Sequence, residues 1–362
     1  MDHAGVEVEV SNRIALLLAV LFATAAPGVV STAAAQAPAS DAGKWEVPRT
    51  PDGHPDLQGN WTNVTLTPFE REEGRGRVFT REEVEAIERP GDGCPANPGT
   101  IACGRAAREG STNEARLSGQ EYSEVYWDRG SRVAIVDGEY VTSLVTNPAN
   151  GRRPPLTSEG ERRLQEYEDF RDQFGLYDHP ELRPLAERCI VSFGSSAGPP
   201  MIPNTAYNNN YTIVQTADYV MIKAEMVHDV RIIRLGEPDR LPAHVHPWFG
   251  DSWGRWEGDV LVVETTNINP THRFQGIAPT ADLKVTERFT RVDEETFLYE
   301  FTIDDQTTYT QPWGGVIPYN RFNDQLYEYA CHEGNYSLSS VLSGARYEER
   351  MEAQGASDSR RE

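Results

Sequence analysis

From Tyr211 to Cys331 the sequence breaks into short runs of β-branched and aromatic residues, each ended by a brief polar or glycine turn. Tyr211–Thr216, Tyr219–Glu225, Val230–Leu235, Arg255–Trp256, Val260–Thr266, Leu283–Val292, Thr296–Ile303, Thr308–Trp313 and Leu326–Cys331 read as strands. The punctuation is Ala217-Asp218, Gly236-Glu237-Pro238, Glu257-Gly258-Asp259, Asp293-Glu294 and Asp304-Asp305. Connections this short join antiparallel neighbours, so the run predicts a meander. That many strands must hide their edges by closing into a barrel or packing as two sheets. The expected fold class is therefore mainly β: an antiparallel meander forming a lipocalin-like barrel or curled sheet in the C-terminal half. The N-terminal half is expected to hold a few short helices and long loops. Val285, Glu287 and Phe289 alternate with Lys284, Thr286 and Arg288, and Phe297, Tyr299 and Phe301 share one face. Aromatics on one face of a meander either fill the core or line a pocket for an apolar ligand.

Upstream the signals are helical or irregular. Thr80 with Glu83 three residues later forms a capping box ahead of a short helix to residue 89. Ser158 with Glu161 forms a second, opening a charged helix to about Phe174. Asp137-Gly138 centres a hairpin between Arg132 and Val145. Residues 90–113 read as loop, and 118–128 fit no single pattern. A single β-rich domain is expected over 51–345, with a loop- and helix-rich part (51–185) and an antiparallel part (186–345). The charged, apolar-poor text of 346–362 reads as a disordered tail.

The N-terminus carries a second kind of information. Arg13 precedes the apolar run Ile14–Ala26, Pro27-Gly28 breaks it, and Ala33 and Ala35 sit in small-residue positions. This is the layout of a secretory signal over 1–35, followed by a flexible Ala/Ser/Pro-rich lead over 36–50. The run is too short to span a bilayer comfortably, so stable membrane insertion is not expected. An exported chain, periplasmic or secreted, meets an oxidising compartment where cysteines pair. Four cysteines allow three connectivities. The favoured one joins Cys94 to Cys103 across a Pro/Gly-rich loop and Cys189 to Cys331. The second bond closes a loop of roughly 140 residues, a constraint of about 4–5 kcal/mol in the chain-entropy model. With 34 basic against 56 acidic residues the formal charge is −22, which repels phosphates, so no nucleic-acid partner is expected.

Candidate chemistry clusters at strand ends. His228-Asp229-x-Arg231 opens a strand, with Asp229 and Arg231 on one face, able to pair, and His228 on the other as a general acid or base. Glu225 lies three residues upstream. His332 follows Cys331, where a disulfide would hold it at the barrel rim. With His228 and His332 moving protons, Asp229 or Glu225 would orient them and Arg255 or Arg231 would stabilise an oxyanion; Arg255 also reads as a cross-strand ionic residue. Trp256, Tyr299, Asn209 and Asp251 are candidate ligand contacts. His244-x-His246 has the spacing of metal ligands on a strand, with Asp251 or His228 to complete a site, but Pro242 and Pro247 bracket it. No metal site is favoured and no cofactor is expected. Ser252 in Gly-Asp-Ser lacks the strand-turn-helix elbow of a nucleophilic serine.

At these residues the chain resembles a large family of exported bacterial proteins, mostly labelled uncharacterised. The resemblance rests on PDGHPDLQGNWTN, MVHDVRIIRL, GDSWGRWEGDVLVVETTN, ERFTRVDEETFLYEFTIDD and YEYACHEGNY, and spans roughly Pro51 to Arg346. It implies a signal peptide and a β-rich fold, and carries over no catalytic residue. The family's usual text near Trp248 has an Ile-Arg pair in place of Val245-His246, which argues against a family-wide metal role there. The expectation is an exported β-barrel that binds a small apolar or aromatic molecule. On the same scaffold it would act as a cofactor-independent lyase, isomerase or hydrolase through His228 and His332. The alternative is a non-catalytic envelope-associated binding or interaction module. The text leaves oligomeric state open.

Overall fold

The computed structural model describes residues 45–89, 128, 130–192, 197–203, 207–237, 239–274 and 277–358. The expected signal peptide, the Cys94–Cys103 pair and the 118–127 text lie outside the described residues. Among the described residues twelve strands and three α-helices follow one another in this order. They are β1 (Gly59–Thr62), α1 (Arg81–Ile87), β2 (Ile135–Val136), β3 (Glu139–Tyr140), β4 (Val145–Asn147) and α2 (Ser158–Arg171). Then come β5 (Asn210–Gln215), β6 (Tyr219–Ala224), β7 (Val230–Leu235), β8 (Asp251–Glu257), β9 (Val260–Thr266), β10 (Lys284–Arg291), β11 (Thr296–Asp304), β12 (Trp313–Arg321) and α3 (Tyr336–Asp358).

Nine strands close on themselves in the order β1-β5-β6-β7-β8-β9-β10-β11-β12, with Trp61 opposite Arg321 and Thr62 opposite Asn320 at the seam. The fold is mainly β and the barrel occupies the C-terminal half, closed by one strand from upstream. Every neighbouring pair is antiparallel except β7 and β8, where Arg234 faces Trp253 and Leu235 faces Gly254 in parallel. Residues 236–250 make the crossover that a parallel neighbour requires. β4 extends the sheet beside the lower part of β12.

Strand directions sort the connections. At one end lie the short turns 216–218, 258–259 and 292–295. At the other lie the approach from residue 63 to 209 and the segments 225–229, 267–283 and 305–312. All the long connections within the barrel that do not cross over therefore meet at one end. Residues 197–203 descend there as a plug, with Ala197, Met201 and Ile202 buried.

The inward faces follow the period-two pattern of the sequence. Val285, Glu287, Phe289 and Arg291 of β10 are buried, as are Phe297, Tyr299, Phe301 and Ile303 of β11. Their rings interlock: Phe297 stacks on Tyr319 at 4.7 Å, Trp61 meets Phe297 edge-on at 4.7 Å, and Tyr299 lies 5.2 Å from Phe289. Each such side chain is worth about 2–3 kcal/mol when fully buried. The aromatic face is core, and the reading that it lines a ligand cavity inside the barrel gives way to a packed lumen.

Several local expectations shift. Of the predicted strand Thr308–Trp313 only Trp313 is in a strand, as the first residue of β12, and Tyr309 makes an isolated bridge to Leu156; the rest of β12 carries Gly314, Gly315 and Pro318, which argue against a strand. Glycine is required because a Cβ at Gly314 would strike the Phe301 carbonyl and one at Gly315 the Leu144 carbonyl. Pro318 falls between the stretches of β12 that pair β4 and β1. Leu326–Cys331 forms no strand; this segment is held by the disulfide and by Asn335 Nδ2 donating to the Glu187 carbonyl at 2.7 Å. The cap of α2 is Thr157, one residue before the predicted Ser158, and its hydroxyl accepts from the Gly160 N–H at 3.0 Å. The hairpin about Asp137-Gly138 and the Thr80–Glu83 capping box are present.

The predicted disordered tail is helical as far as Asp358. Ala, Glu, Arg and Met favour helix without any core, and Arg346 pairs with Glu349 one turn on. Residues 45–50, expected within a flexible lead, are fastened instead: Arg49 pairs with Asp259 at 2.8 Å, and Arg291 lies over the Trp45 ring.

Cys189 and Cys331 are bonded, 142 residues apart in sequence. No helix among the described residues is long and apolar enough to cross a membrane. Replacing both cysteines by serine is expected to lower stability by about 3–5 kcal/mol through the restored freedom of the unfolded chain. The urea midpoint of the double variant measures this, and an unchanged midpoint would refute it.

Candidate functional site

Of the residues singled out in sequence, several gather at the loop-bearing end, but not as a catalytic set. Val227 and His228 both take positive φ, 58° and 49°, in the turn between β6 and β7. This backbone is costly for a β-branched residue. It turns His228 outward, where Nδ1 sits 3.0 Å from the Tyr329 carbonyl. His332 is exposed in the turn after Cys331, on the same strap as Tyr329. No described cavity is lined by both histidines. Glu225 accepts from Asn210 Nδ2 at 2.8 Å. Asn209 is buried, and its carbonyl receives the Asn63 N–H at 3.2 Å.

Asp229 and Arg231 share a face as expected yet do not pair with each other. Arg231 instead makes a two-pronged bond to Glu287 across the barrel, at 2.7 and 2.8 Å, with both side chains almost wholly buried. Tyr299 donates to the same carboxylate at 2.7 Å and receives the Met201 N–H at 2.8 Å. The Met201 carbonyl in turn accepts from Tyr319, and Asn63 Nδ2 bonds the hydroxyls of Tyr319 and Tyr211 at 3.0 and 3.3 Å. Burial drives all three tyrosine pKa values upward, so these phenols stay neutral hydrogen-bonding groups. The sequence pairs Arg231 with Asp229, two residues before it; Glu287, across the barrel, stands out only as a charge between Val285 and Phe289.

Asp229 is 8% exposed and accepts the Ser192 N–H at 2.9 Å. Burial raises its pKa to about 6, against the lowering effects of Ser192 and the His228 charge.

The remaining sequence candidates hold the wall together. Asp251 is buried and takes hydrogen bonds from Arg234 and from the Leu241 N–H. Arg255 bridges Glu257 and Glu264 on the outer strand face. Trp256 stacks on His54 at 4.8 Å. Ser252 is buried against the Thr265 hydroxyl at 2.8 Å. His244 and His246 are exposed in the crossover, and no group of three or more metal-binding side chains occurs among the described residues.

Two adjoining concavities lie at this end, the first of them beside the plug. The first is an apolar recess of about 40 Å³. Val285 and Ile303 of the barrel, Pro199 and Pro200 of the plug, and Phe274 and Leu283 of the long β9–β10 loop bound it. Its polar members are fixed. His272 Nδ1 lies 2.8 Å from the Trp248 carbonyl. Asp305 accepts from the Thr280 hydroxyl and from both the N–H and hydroxyl of Thr308. Burial raises the Tyr309 phenol to about 12. The second is a cleft of about 300 Å³ between α2 and the same loop. Ile277 and Ala278 belong to both. Along the sequence this loop carries neither a strand pattern nor a constellation of polar residues. Its signal was Ile268, Phe274, Ile277 and Leu283, an apolar content too high for an exposed connection.

Arg231→Met is expected to cost about 3–5 kcal/mol by stranding the Glu287 charge, whereas Arg231→Met combined with Glu287→Leu should cost far less. Denaturant unfolding of the three proteins decides; equal losses in single and double variants would sink the argument. Asp229 holds its proton more tightly folded than unfolded, where its ordinary value is 3.8. Its penalty therefore grows as pH rises from about 4 to 6 and is complete above. Asp229→Asn is expected to stabilise by about 2–3 kcal/mol near neutral pH and by nothing near pH 4, read from thermal midpoints across that range.

No family model, no curated protein and no solved structure matches this chain.

Proposed function

We propose that this is an exported protein that binds a small apolar or aromatic molecule at the loop-bearing rim of its barrel. The observation carrying the reading is the apolar recess walled by Val285, Ile303, Phe274 and Leu283, beside a lumen already filled by its own aromatic side chains. The lining of the recess, apolar with few fixed polar groups, is of the kind small-molecule sites have, and at about 40 Å³ it takes only the end of a ligand, the rest lying toward the adjoining cleft of about 300 Å³. The likeness to lipocalins, on this reading, is in the closed barrel, with the ligand held at the mouth. Export is supported by the Cys189–Cys331 bond, the signal-like N-terminal text and the family resemblance. The reading is one of binding without turnover: His228 is committed to the Tyr329 carbonyl, and Arg231 and Asp229 to structural partners.

A second reading, an envelope interaction module, draws on the outer face of β5–β7. There Val214, Met221 and Ile232 stand in one cross-strand row, and Val214 and Ile232 are exposed.

Calorimetric titration with n-octanol tests the first. Saturable one-site binding with a negative heat-capacity change is expected, and Leu283→Trp, which fills the recess, should remove it. Absence of binding, or equal binding by a folded Leu283→Trp, would refute a ligand at this rim.

A further inference from the structure

A surface helix ordinarily buries its apolar stripe and shows water its charged one. α3 departs from this. Its Arg346 donates to the Asp178 carbonyl at 3.1 Å, and Leu338, Leu342 and Ala345 are half-buried on the same side. The opposite side, at spacings of four, four, three and four, is the row Tyr336, Ser340, Gly344, Tyr347 and Met351. Tyr336 is 76% exposed, Tyr347 58% and Met351 48%, and Ser340 and Gly344 are exposed with them. Over about 22 Å of helix this row holds no charge. Charged residues stand on its flanks, with the Arg350 guanidinium 6.0 Å from the Tyr347 ring.

The centre of the row is small without help from the fold. Gly344 costs the helix stability relative to alanine, yet its backbone is ordinary helix and a Cβ there would meet no described atom within 4 Å. Ser339 and Ser343 turn their hydroxyls back to the Tyr336 and Ser340 carbonyls, each at 3.0 Å. The row is therefore low in the middle and high at its ends, a shape that lets a second helix approach closely.

The row is also its own counterpart when reversed. About the midpoint between Ser343 and Gly344, Tyr336 is the equivalent of Met351 and Ser340 of Tyr347. Two copies laid antiparallel set each Tyr347 over the other's Ser340 and each Met351 against the other's Tyr336. Large meets small, and sulfur meets a ring. Charge selects the same direction. Arg346, Glu348, Glu349, Arg350 and Glu352 all lie in the second part of the helix, and Tyr336–Ala345 carries none. Antiparallel packing sets charged against uncharged turns, whereas parallel packing sets every charge beside its like.

We propose that this chain dimerises through α3, the two helices running antiparallel about Ser343 and Gly344. The contact is isologous, as a two-fold axis requires. It is independent of any ligand at the rim. Two helices of this length bury less than the roughly 1,600 Å² of a standard interface, so the dimer is reversible in the micromolar range. Two copies of net charge −22 repel, so added salt tightens it.

Sedimentation velocity of the full chain across the micromolar range tests this. A monomer–dimer equilibrium is expected, and monomer at every concentration refutes it. Gly344→Leu should weaken association about tenfold or more without lowering the thermal midpoint of the dilute protein, since leucine is the better helix former. Tyr347→Glu should weaken it as much, and decides alone if Gly344→Leu proves unstable. Association unchanged in the folded variants overturns the assignment to α3, and a dimer loosened by salt refutes an uncharged contact. Cross-linking with diamide reads the direction. Ser343→Cys, at the axis, should link to its copy, and Ser337→Cys, opposite Arg350 of the other copy, should not. Equal linking by the two refutes the antiparallel arrangement.

Discussion

Two opposite charges in the lumen of a barrel must satisfy each other without water. Arg231 and Glu287 do so through two parallel hydrogen bonds, and the surplus valence of the carboxylate is taken up by Tyr299. Tyr299 in turn fixes the backbone of Met201, and Tyr319 fixes its carbonyl. The plug is therefore seated on the barrel through polar contacts as well as apolar burial. A pair this deeply buried gives little net stability against an apolar equivalent, but it is costly to misalign. Its consequence here is positional: it ties β7, β10 and β11 to the plug, and the plug forms one wall of the recess.

Filling the lumen moves function to the rim. The rings of Trp61, Phe297, Tyr299 and Tyr319 leave the barrel interior packed. The short-turn end carries the lead into β1, fastened there by Arg49 to Asp259 and by Arg291 to the Asp56 carbonyl. The opposite end gathers the plug, the strained turn at Val227-His228, the β9–β10 loop and the segment before β12. Concavities arise where such loops cannot pack as regularly as strands. Polar groups mark this end at two places: a buried carboxyl at Asp229, and the cleft lined by Arg163, Glu166 and Arg273.

Strand identity was legible wherever turn chemistry bounded an alternating run. Val230–Leu235 and Val260–Thr266 are found at the residues where they were expected. The alternation about Val285 and Phe289 also gave the inward face. β12 was hidden because Gly314, Gly315 and Pro318 answer to close backbone approach and to a gap in the ladder, not to strand propensity. β1 was hidden because a four-residue strand has no period to speak of. The recess was hidden because it is made by residues from the plug, two strands and a loop, none of which looks unusual in its own segment.

What the sequence alone determined is local: alternation, turn positions, and two helix starts to within a residue. Those features depend on neighbours in the chain, so they can be read along it. Only the tertiary structure decided that β1 seals the barrel, that Arg231 finds Glu287 instead of Asp229, and that Arg163 and Arg273 share a cleft. Each of these depends on which distant segments closure brings within a few ångströms, and no period or motif along the chain encodes that distance.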